Sequence, residues 1–262
     1  MTDPRVMIGV ATKYDEKYLD DFLKTLANLD YPKENLNLAI VAGDPTQAFV
    51  NKVRSYKIAS LCSIYEEQKR WRPKGVSFKA DLYADLASLV TSEDFVLFID
   101  SDIVSVPNNL LHHLISRNVD IVAPYVYTNN SKIFFDTYIF RLNGKGFPQH
   151  PIYPPQLLEM ESVGSCLLVK SKVLKECGFA NPHHWLHFCY FARQKGFKVY
   201  ADPTIRIEHA DVRGEPPHMS FESLAKSGFI DIPECIRRGV FTLEDIERFE
   251  KIIGVTLKKN ED

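Results

Sequence analysis

Blocks of apolar residues alternate with blocks of mixed polarity along the first half of the chain. Short apolar runs rich in β-branched side chains predict strands at residues 5–12, 37–42, 61–65 and 95–99. Apolar positions three and four apart predict amphipathic helices at residues 17–29, 47–56 and 79–90. Strands that are apolar on both faces and alternate with helices are typical of parallel sheets covered by helices. We therefore predict an α/β fold with a mostly parallel sheet.

The second half continues this pattern with one long interruption. It predicts helices at 108–118, 171–177 and 185–195, and strands at 119–127, 162–169 and 198–201, the last followed by Pro203 and the run IRIEH at 205–209. Residues 128–155 are polar and aromatic with many turn formers, which is typical of a functional loop. Pro216 and Pro217 mark a break. We predict one domain over residues 1–214 and a small helical C-terminal extension, packed on it, over residues 215–262.

The charge balance narrows the class of partner. The 262 residues contain 32 Lys and Arg against 34 Asp and Glu, a formal net charge of -2. This balance argues against nucleic acid or an anionic membrane surface as the partner. No apolar run is long enough for a signal peptide core or a membrane-spanning helix, so we expect a soluble, cytoplasmic protein. The five cysteines are odd in number and lack C-x-x-C spacing, which favours reduced thiols.

Two aspartates follow the most apolar of the predicted strands, in the stretch FVLFIDSDIV. Because side chains alternate along a strand, Asp100 and Asp102 are expected on the same side, with Ser101 facing away. Ligands of open α/β sheets bind beyond the carboxyl ends of the strands, and two carboxylates there suit Mg²⁺ or Mn²⁺ bound to a diphosphate. The alternative is that one aspartate caps the following helix, but Ser105 and Asn108 are also available as caps.

The order of these features resembles that of GT-A fold glycosyltransferases, in which a D-x-D motif after a buried strand holds a cation against a nucleotide-sugar diphosphate. The resemblance spans most of the chain, from Arg5 to His209. The segments similar to family 2 enzymes are GVATKYDEKYLDDFLKTLANLDYP, GSCLLVKSKVLKECGF and FCYFARQKGFKVYADPTIRIEH. The segment DLASLVTSEDFVLFIDSDIVSVPNNLLHHLISRNVDIVAPYVY, together with Phe135 and Asp136, is similar to the Anp1 and Mnn9 mannosyltransferases.

The resemblance implies a metal site. Asp100 and Asp102 match the D-x-D ligands, and His209 matches a histidine that serves as a metal ligand in many of these enzymes. The alternative for His209 is a surface histidine that follows a strand. Imidazole suits Mn²⁺ better than Mg²⁺, so Mn²⁺ is the expected cofactor and Mg²⁺ the alternative.

The resemblance also implies a site for the nucleotide sugar. Thr12 and Tyr14 match positions that contact the base and ribose, and Asp44 matches an acidic position that binds uracil in family 2 enzymes. Asp44 is otherwise an ordinary turn residue, and Lys79 either balances the diphosphate or belongs to a solvated basic face. The predicted donor site comprises Thr12, Tyr14, Asp44, Lys79, Asp100 and Ser101.

No catalytic base is evident, because the chain departs from the family 2 pattern. Those enzymes often carry an acidic pair before a Phe-Cys dipeptide, where this chain has PHHWLH and no acid. The candidates are Asp136, Asp81 and His184. Asp81 is otherwise an exposed helical acid, and His184 is equally a polar contact to the acceptor. Trp185 is either a stacking platform for a sugar ring or a core residue.

These features predict metal-dependent transfer of a sugar from a nucleotide-diphosphate sugar to a hydroxyl of a glycan or glycoconjugate. Asp44 favours a UDP-sugar and the likeness to mannosyltransferases favours GDP-mannose; we prefer the UDP-sugar. Inversion and retention both stay open. One alternative is a non-catalytic carbohydrate-binding protein. Another is a nucleotidyltransferase acting on sugar phosphates, which should have a glycine-rich phosphate loop where GVATKY has a single glycine.

Overall fold

The computed structural model describes residues 3–12, 16–43, 45–67, 78–129, 136, 138–142, 148–149, 156–179 and 184–210. For residues 16, 78, 80, 148, 149 and 184 it describes the backbone alone. The predicted extension over residues 215–262 and most of the predicted functional loop lie outside these ranges. The predicted division into a domain and an extension therefore stays a prediction.

The predicted helices and strands occur in the predicted order, together with four short strands, at residues 103–105, 141–142, 148–149 and 158–159, that the sequence did not predict. The strands are β1 (Val6–Thr12), β2 (Leu36–Ala42), β3 (Leu61–Glu66), β4 (Phe95–Ile99), β5 (Ile103–Ser105), β6 (Ile121–Thr128), β7 (Arg141–Leu142), β8 (Pro148–Gln149), β9 (Leu158–Glu159), β10 (Cys166–Lys170) and β11 (Val199–His209). The helices are α1 (Glu16–Ala27), α2 (Gln47–Ser55), α3 (Phe78–Ser88), α4 (Leu110–Ser116), α5 (Ser171–Cys177) and α6 (His184–Gln194). The strand predicted at 198–201 continues through the run at 205–209 as one strand, β11. No helix in the described ranges is both long and apolar enough to cross a membrane.

The main sheet has the strand order β3-β2-β1-β4-β10-β6-β11-β5, and β9 pairs with β11. Strands β1, β2, β3 and β4 run parallel, as do β6 and β11. Strand β10 lies antiparallel between β4 and β6. A strand buried on both faces has the same apolar pattern in either direction, so the sequence does not indicate this reversal.

Helices cover both faces of the sheet. One core contains side chains of α1, α2 and α4, and the other contains side chains of α3, α5 and α6. Strand β4 contributes Leu97 and Ile99 to the first core and Val96 and Phe98 to the second. This double burial explains the uninterrupted apolar run before Asp100.

The cysteines of the described chain are free thiols, as predicted: Cys62, Cys166, Cys177 and Cys189. Cys166 and Cys189 are buried in the two cores. Burial raises the pKa of both thiols, and that of Cys189 reaches about 11. These two side chains therefore behave as small apolar core residues.

Strand β11 changes its register against β6 halfway along its length. Asp202 is aligned with Pro124, but the next aligned pair is Arg206 with Tyr125. Residues 203–205 are therefore extra residues on β11, and their number is odd. An odd insertion reverses which side of the sheet alternate side chains face.

The register shift determines where the end of β11 lies. Before it, Ala201 packs in the core with α3, α5 and α6; after it, Ile207 packs in the core with α1, α2 and α4. His209 is brought level with Thr128, at the carboxyl end of β6. If residues 203–205 instead continued the regular pairing of β11 with β6, the odd-numbered residues after them would face the same side of the sheet as Ala201.

A buried carboxylate holds the shift in place. Asp202 is 0% exposed and accepts hydrogen bonds from Nε of Arg117 at 2.6 Å and from N and Oγ1 of Thr204 at 2.9 and 2.6 Å. Nη2 of Arg117 also donates to Oγ1 of Thr204 at 3.1 Å. Because Arg117 directly follows α4, this network ties that helix to the extra residues of β11.

We expect Asp202→Asn to lower the free energy of unfolding by about 2 kcal/mol, because the amide cannot neutralise Arg117 and loses acceptor capacity in a buried place. Urea unfolding of the variant and the wild type measures the difference. The control is Asp20→Asn, which removes an exposed carboxylate paired with Lys52 and should leave the unfolding midpoint unchanged. An equal effect of the two substitutions would contradict the role assigned to Asp202.

Candidate active site

Three of the predicted site residues lie at one edge of the sheet. Thr12 ends β1, Asp100 follows β4 and His209 ends β11. Ser165 directly precedes β10, whose amino end lies at this same edge because β10 runs antiparallel to β4. The carboxyl ends of the parallel strands therefore bring together residues that are far apart in the sequence.

The two aspartates lie in a tight turn between β4 and β5. The strand ends at Ile99, and the backbone N–H of Ile103 donates to the carbonyl of Asp100 at 3.2 Å. The expectation that both aspartates extend the strand is therefore wrong, and strand alternation is not what orients them. The turn is held to the sheet by the N–H of Asp100, which donates to the carbonyl of Ser165 at 2.8 Å.

Asp100 is held from the side of α3. Its Oδ1 accepts a hydrogen bond from the hydroxyl of Tyr83 at 2.6 Å and lies 3.6 Å from Nζ of Lys79. The charge of Asp100 raises the pKa of Lys79, with a smaller contribution from Asp102. Burial, followed by the charge of Asp100, raises the pKa of Tyr83 well above its usual value, so the hydroxyl keeps its proton and donates it.

Asp102 pairs with His209. Nε2 of His209 lies 2.9 Å from Oδ2 of Asp102, and Nδ1 lies 2.7 Å from the carbonyl oxygen of Ala210. Burial alone lowers the pKa of His209, but its contacts with Asp102 and Ala210 outweigh burial and raise it. Burial raises the pKa of Asp102, yet the hydrogen bond and charge of His209 bring it below its usual value. The raised pKa of His209 and the lowered pKa of Asp102 both describe an imidazolium–carboxylate pair.

The donor atoms at this edge suit a divalent cation. Oδ1 of Asp102 is a buried carboxylate oxygen without a hydrogen-bond partner in the described part of the chain. Asp100 supplies further carboxylate oxygens close by, and Nε2 of His209 becomes a nitrogen donor for Mn²⁺ once it loses the proton that it shares with Asp102. Within the described residues, however, no three His, Cys, Asp or Glu side chains are arranged as a metal-holding group. The chemistry fits the predicted ion, and its assignment stays a prediction.

Asp136 is a buried acid next to this pair. Its Oδ1 accepts from the N–H of Tyr138 at 2.9 Å, and its side chain is also hydrogen-bonded to Ser165. Its Oδ2 has no partner among the described residues. Burial, with a smaller contribution from the charge of Asp100, raises the pKa of Asp136 to about 7. The carboxyl is therefore suited to accept or release a proton near neutral pH.

The backbone at residues 164–165 makes this close approach possible. A Cβ at Gly164 would lie 2.7 Å from Cβ of Tyr138 and 2.9 Å from Cδ1 of Trp185, so only glycine fits. Ser165 adopts a left-handed conformation with φ of 50°. Such strain persists where surrounding contacts impose it and is concentrated at functional sites. Here Ser165 contacts Asp100 through its carbonyl and Asp136 through its side chain.

Three other predicted site residues, Thr12, Asp81 and Ser101, lie within the described part of the chain. Thr12 is buried at the end of β1, where its carbonyl accepts from the N–H of Gly43 at 3.1 Å. Asp81 is buried in the first turn of α3, so the alternative of an exposed helical acid is wrong. Ser101 is partly exposed in the turn. Tyr14, Asp44 and the side chain of His184 lie outside the described residues.

Trp185 is a core residue. It is fully buried, and its ring contacts those of Tyr83 at 4.3 Å, Phe179 at 5.5 Å and Phe98 at 5.6 Å between ring centroids. A buried ring offers no face to a sugar, so the alternative of a stacking platform is wrong. The aromatic cluster instead supports Tyr83 from behind. Sequence reasoning missed Tyr83, although its place one turn after Lys79 was a usable signal.

Comparisons with known sequences point to glycosyltransferases. A sequence model of the Anp1 family matches residues 82–143. A Glycosyltransferase 25 family member of Anopheles gambiae is 28% identical over 144 residues, 48% of this chain and 24% of that protein. Procollagen-lysine,2-oxoglutarate 5-dioxygenase 2 of Mus musculus is 28% identical over 136 residues, 50% of this chain and 18% of that protein. The chain thus spans less than a quarter of the length of either relative.

Solved structures share the fold of this chain. GalNAc-T7 with UDP, GalNAc and Mn²⁺ aligns with a TM-score of 0.63 at 11% identity, over 97% of this chain and 55% of that chain. S. aureus TarS 1-349 with UDP-GlcNAc aligns with a TM-score of 0.58 at 17% identity, over 97% and 68%. The mannosyltransferase PcManGT of Pyrobaculum calidifontis, with GDP-Man and Mn²⁺, aligns with a TM-score of 0.57 at 15% identity, over 98% and 82%.

These likenesses confirm two of the predictions. The chain has the α/β GT-A fold of its glycosyltransferase neighbours, with a curled sheet flanked by helices. The predicted resemblance to the Anp1 and Mnn9 group is confirmed by the match of the Anp1 family to residues 82–143, a segment that contains Tyr83, both aspartates of the turn and Asp136. The names of the relatives and neighbours support an enzyme of the glycosyltransferase class.

The raised pKa of Asp136 predicts a pH-dependent loss of stability. The folded chain holds this proton more tightly than the unfolded chain, so the stabilisation is complete below pH 4 and is lost as the pH rises to about 7. Relative to wild type, Asp136→Asn should therefore gain stability across this window, by about 1.4 kcal/mol per pH unit at most.

Urea unfolding of both proteins in EDTA at pH 5, 6, 7 and 8 measures this difference. A difference that rises with pH and levels off above about pH 7 is expected. A constant difference across the series would show that the pKa of Asp136 is ordinary.

Proposed function

We propose that the chain is a metal-dependent glycosyltransferase, which moves a sugar from a nucleotide-diphosphate sugar to a hydroxyl of a glycan or glycoconjugate. The observation that carries this proposal is the turn after β4. There Asp100 faces Lys79 and Tyr83, and Asp102 faces His209, at the carboxyl edge of a sheet with the GT-A fold. A carbohydrate-binding protein without catalysis would not need two partly buried, paired carboxylates at that edge.

A UDP-sugar is the donor we propose. Structures of two neighbours, GalNAc-T7 and TarS, contain UDP or UDP-GlcNAc, whereas that of PcManGT contains GDP-Man. In our proposal Thr12 and Tyr14 contact the base and ribose, and Asp44 binds uracil. The position of Thr12 at the carboxyl end of β1, on the same edge as the aspartates, supports this arrangement.

Asp100, Asp102 and His209 are the residues that we propose hold the cation, with Mn²⁺ preferred over Mg²⁺. The structures of GalNAc-T7 and PcManGT contain Mn²⁺, which supports a divalent metal in this fold. The unpartnered Oδ1 of Asp102 supports a ligand at this place. When bound, such an ion neutralises charge that develops on the leaving diphosphate. Lys79 adds a positive charge from α3 beside the same two carboxylates.

The protein supplies a proton acceptor in addition to positive charge. In the reaction, the bond between the anomeric carbon and the diphosphate oxygen breaks, and the acceptor hydroxyl oxygen bonds to that carbon and gives up its proton. We assign that proton to Asp136, whose pKa of about 7 and unpartnered Oδ2 suit a general base. Asp81 and His184 are the other residues that we propose as candidates for the general base. The sugar-transfer assay described below tests them as well.

We expect Asp102→Asn to lower sugar transfer by about 100-fold, because the amide removes one negative ligand and the partner of His209. The assay is the release of UDP from a panel of UDP-sugars in Mn²⁺, paired with calorimetry of UDP binding. The matched control is Asp120→Asn, since Asp120 pairs with Lys170 and Lys172 at the opposite edge of the sheet. Turnover of Asp102→Asn equal to that of the control would refute the metal assignment.

A further inference from the structure

The ring of Tyr83 is fixed in the core behind the aspartates. Tyr83 is 0% exposed, and its ring lies 5.6 Å from that of Phe98, edge to face, and 5.9 Å from that of Phe179, stacked, between centroids. Trp185 closes the cluster at 4.3 Å. Packing on this scale leaves one rotamer, so the position of the hydroxyl is determined by the core and not by the site.

The hydroxyl of Tyr83 reaches Asp100 from that fixed position. Its hydrogen bond to Oδ1 measures 2.6 Å, the length of a strong bond to a charged acceptor. Lys79, one turn earlier on α3, approaches the same oxygen at 3.6 Å. Both contacts from α3 therefore use Oδ1 of Asp100, and neither uses Oδ2.

We propose that Tyr83 is a positioning residue for Asp100, which sets the orientation in which this carboxylate meets a bound cation. The inference rests on the proposed function and deepens it. Carboxylates that bind metals are commonly oriented by hydrogen bonds from neighbouring side chains, and loss of one such bond lowers metal affinity. Lys79 alone does not replace Tyr83, because its flexible stem and longer contact leave the carboxylate free to rotate.

Tyr83→Phe tests this role, since it removes the hydroxyl and keeps the ring in the aromatic cluster. The control is Tyr31→Phe, because Tyr31 is also buried and its hydroxyl donates to the carbonyl of Pro4 at 2.7 Å, before β1 and at the other edge of the sheet. Two measurements are made on the full chain: the Kd of Mn²⁺ in saturating UDP, by electron paramagnetic resonance, and crystal structures of both variants in EDTA.

We expect Tyr83→Phe to raise the Kd of Mn²⁺ about tenfold and Tyr31→Phe to leave it unchanged. In EDTA, the Asp100 carboxylate of Tyr83→Phe should be rotated from its wild-type orientation. Equal Mn²⁺ affinities in the two variants, or an unrotated Asp100, would overturn the inference. Absence of Mn²⁺-dependent UDP binding in the wild type would instead refute the proposed function, and the EDTA structures would still decide the role of Tyr83.

Discussion

The site depends on negative charge held at the end of a strand that is buried on both faces. Carboxylates taken from water are costly unless they are paired or hydrogen-bonded. Asp100 and Asp102 meet this requirement through elements remote in the sequence: α3 supplies Tyr83 and Lys79, and β11 supplies His209. The same contacts stabilise the charged turn. They also bring α3 and β11 to one point, and they define the place where a cationic ligand would bind.

Two irregularities of the backbone position His209 and Asp136 at the site. The register shift of β11 turns the end of that strand towards the aspartates, and the network of Asp202 with Arg117 and Thr204 holds it. On the other side, the left-handed Ser165 links the turn after β4 to Asp136. Regular strands would place neither His209 nor Asp136 beside the turn after β4. These irregularities cost stability. Such a cost is typical of a functional site, where the geometry of the side chains matters more than the regularity of the sheet.

The sequence predicted the elements well because each is locally patterned, as the run before Asp100 shows. It did not predict the direction of β10, since burial on both faces is independent of direction. His209 was reached only through the family resemblance, because the shift that positions it depends on Arg117 and Asp202, which are 85 residues apart. Tyr83 was missed because an aromatic residue on the apolar face of a helix is ordinary in composition, and its place one turn after Lys79 gains meaning from the contact with Asp100.

The most direct test is the thermal unfolding of the wild-type chain with UDP, GDP or CDP, each in Mn²⁺, Mg²⁺ or EDTA. A ligand that binds only the folded chain raises the unfolding temperature by mass action. The account predicts a clear rise with UDP in Mn²⁺, a smaller one in Mg²⁺ and none in EDTA. An unfolding temperature that no nucleotide raises in either metal would contradict the claim that the turn of Asp100 and Asp102 is a nucleotide-sugar site.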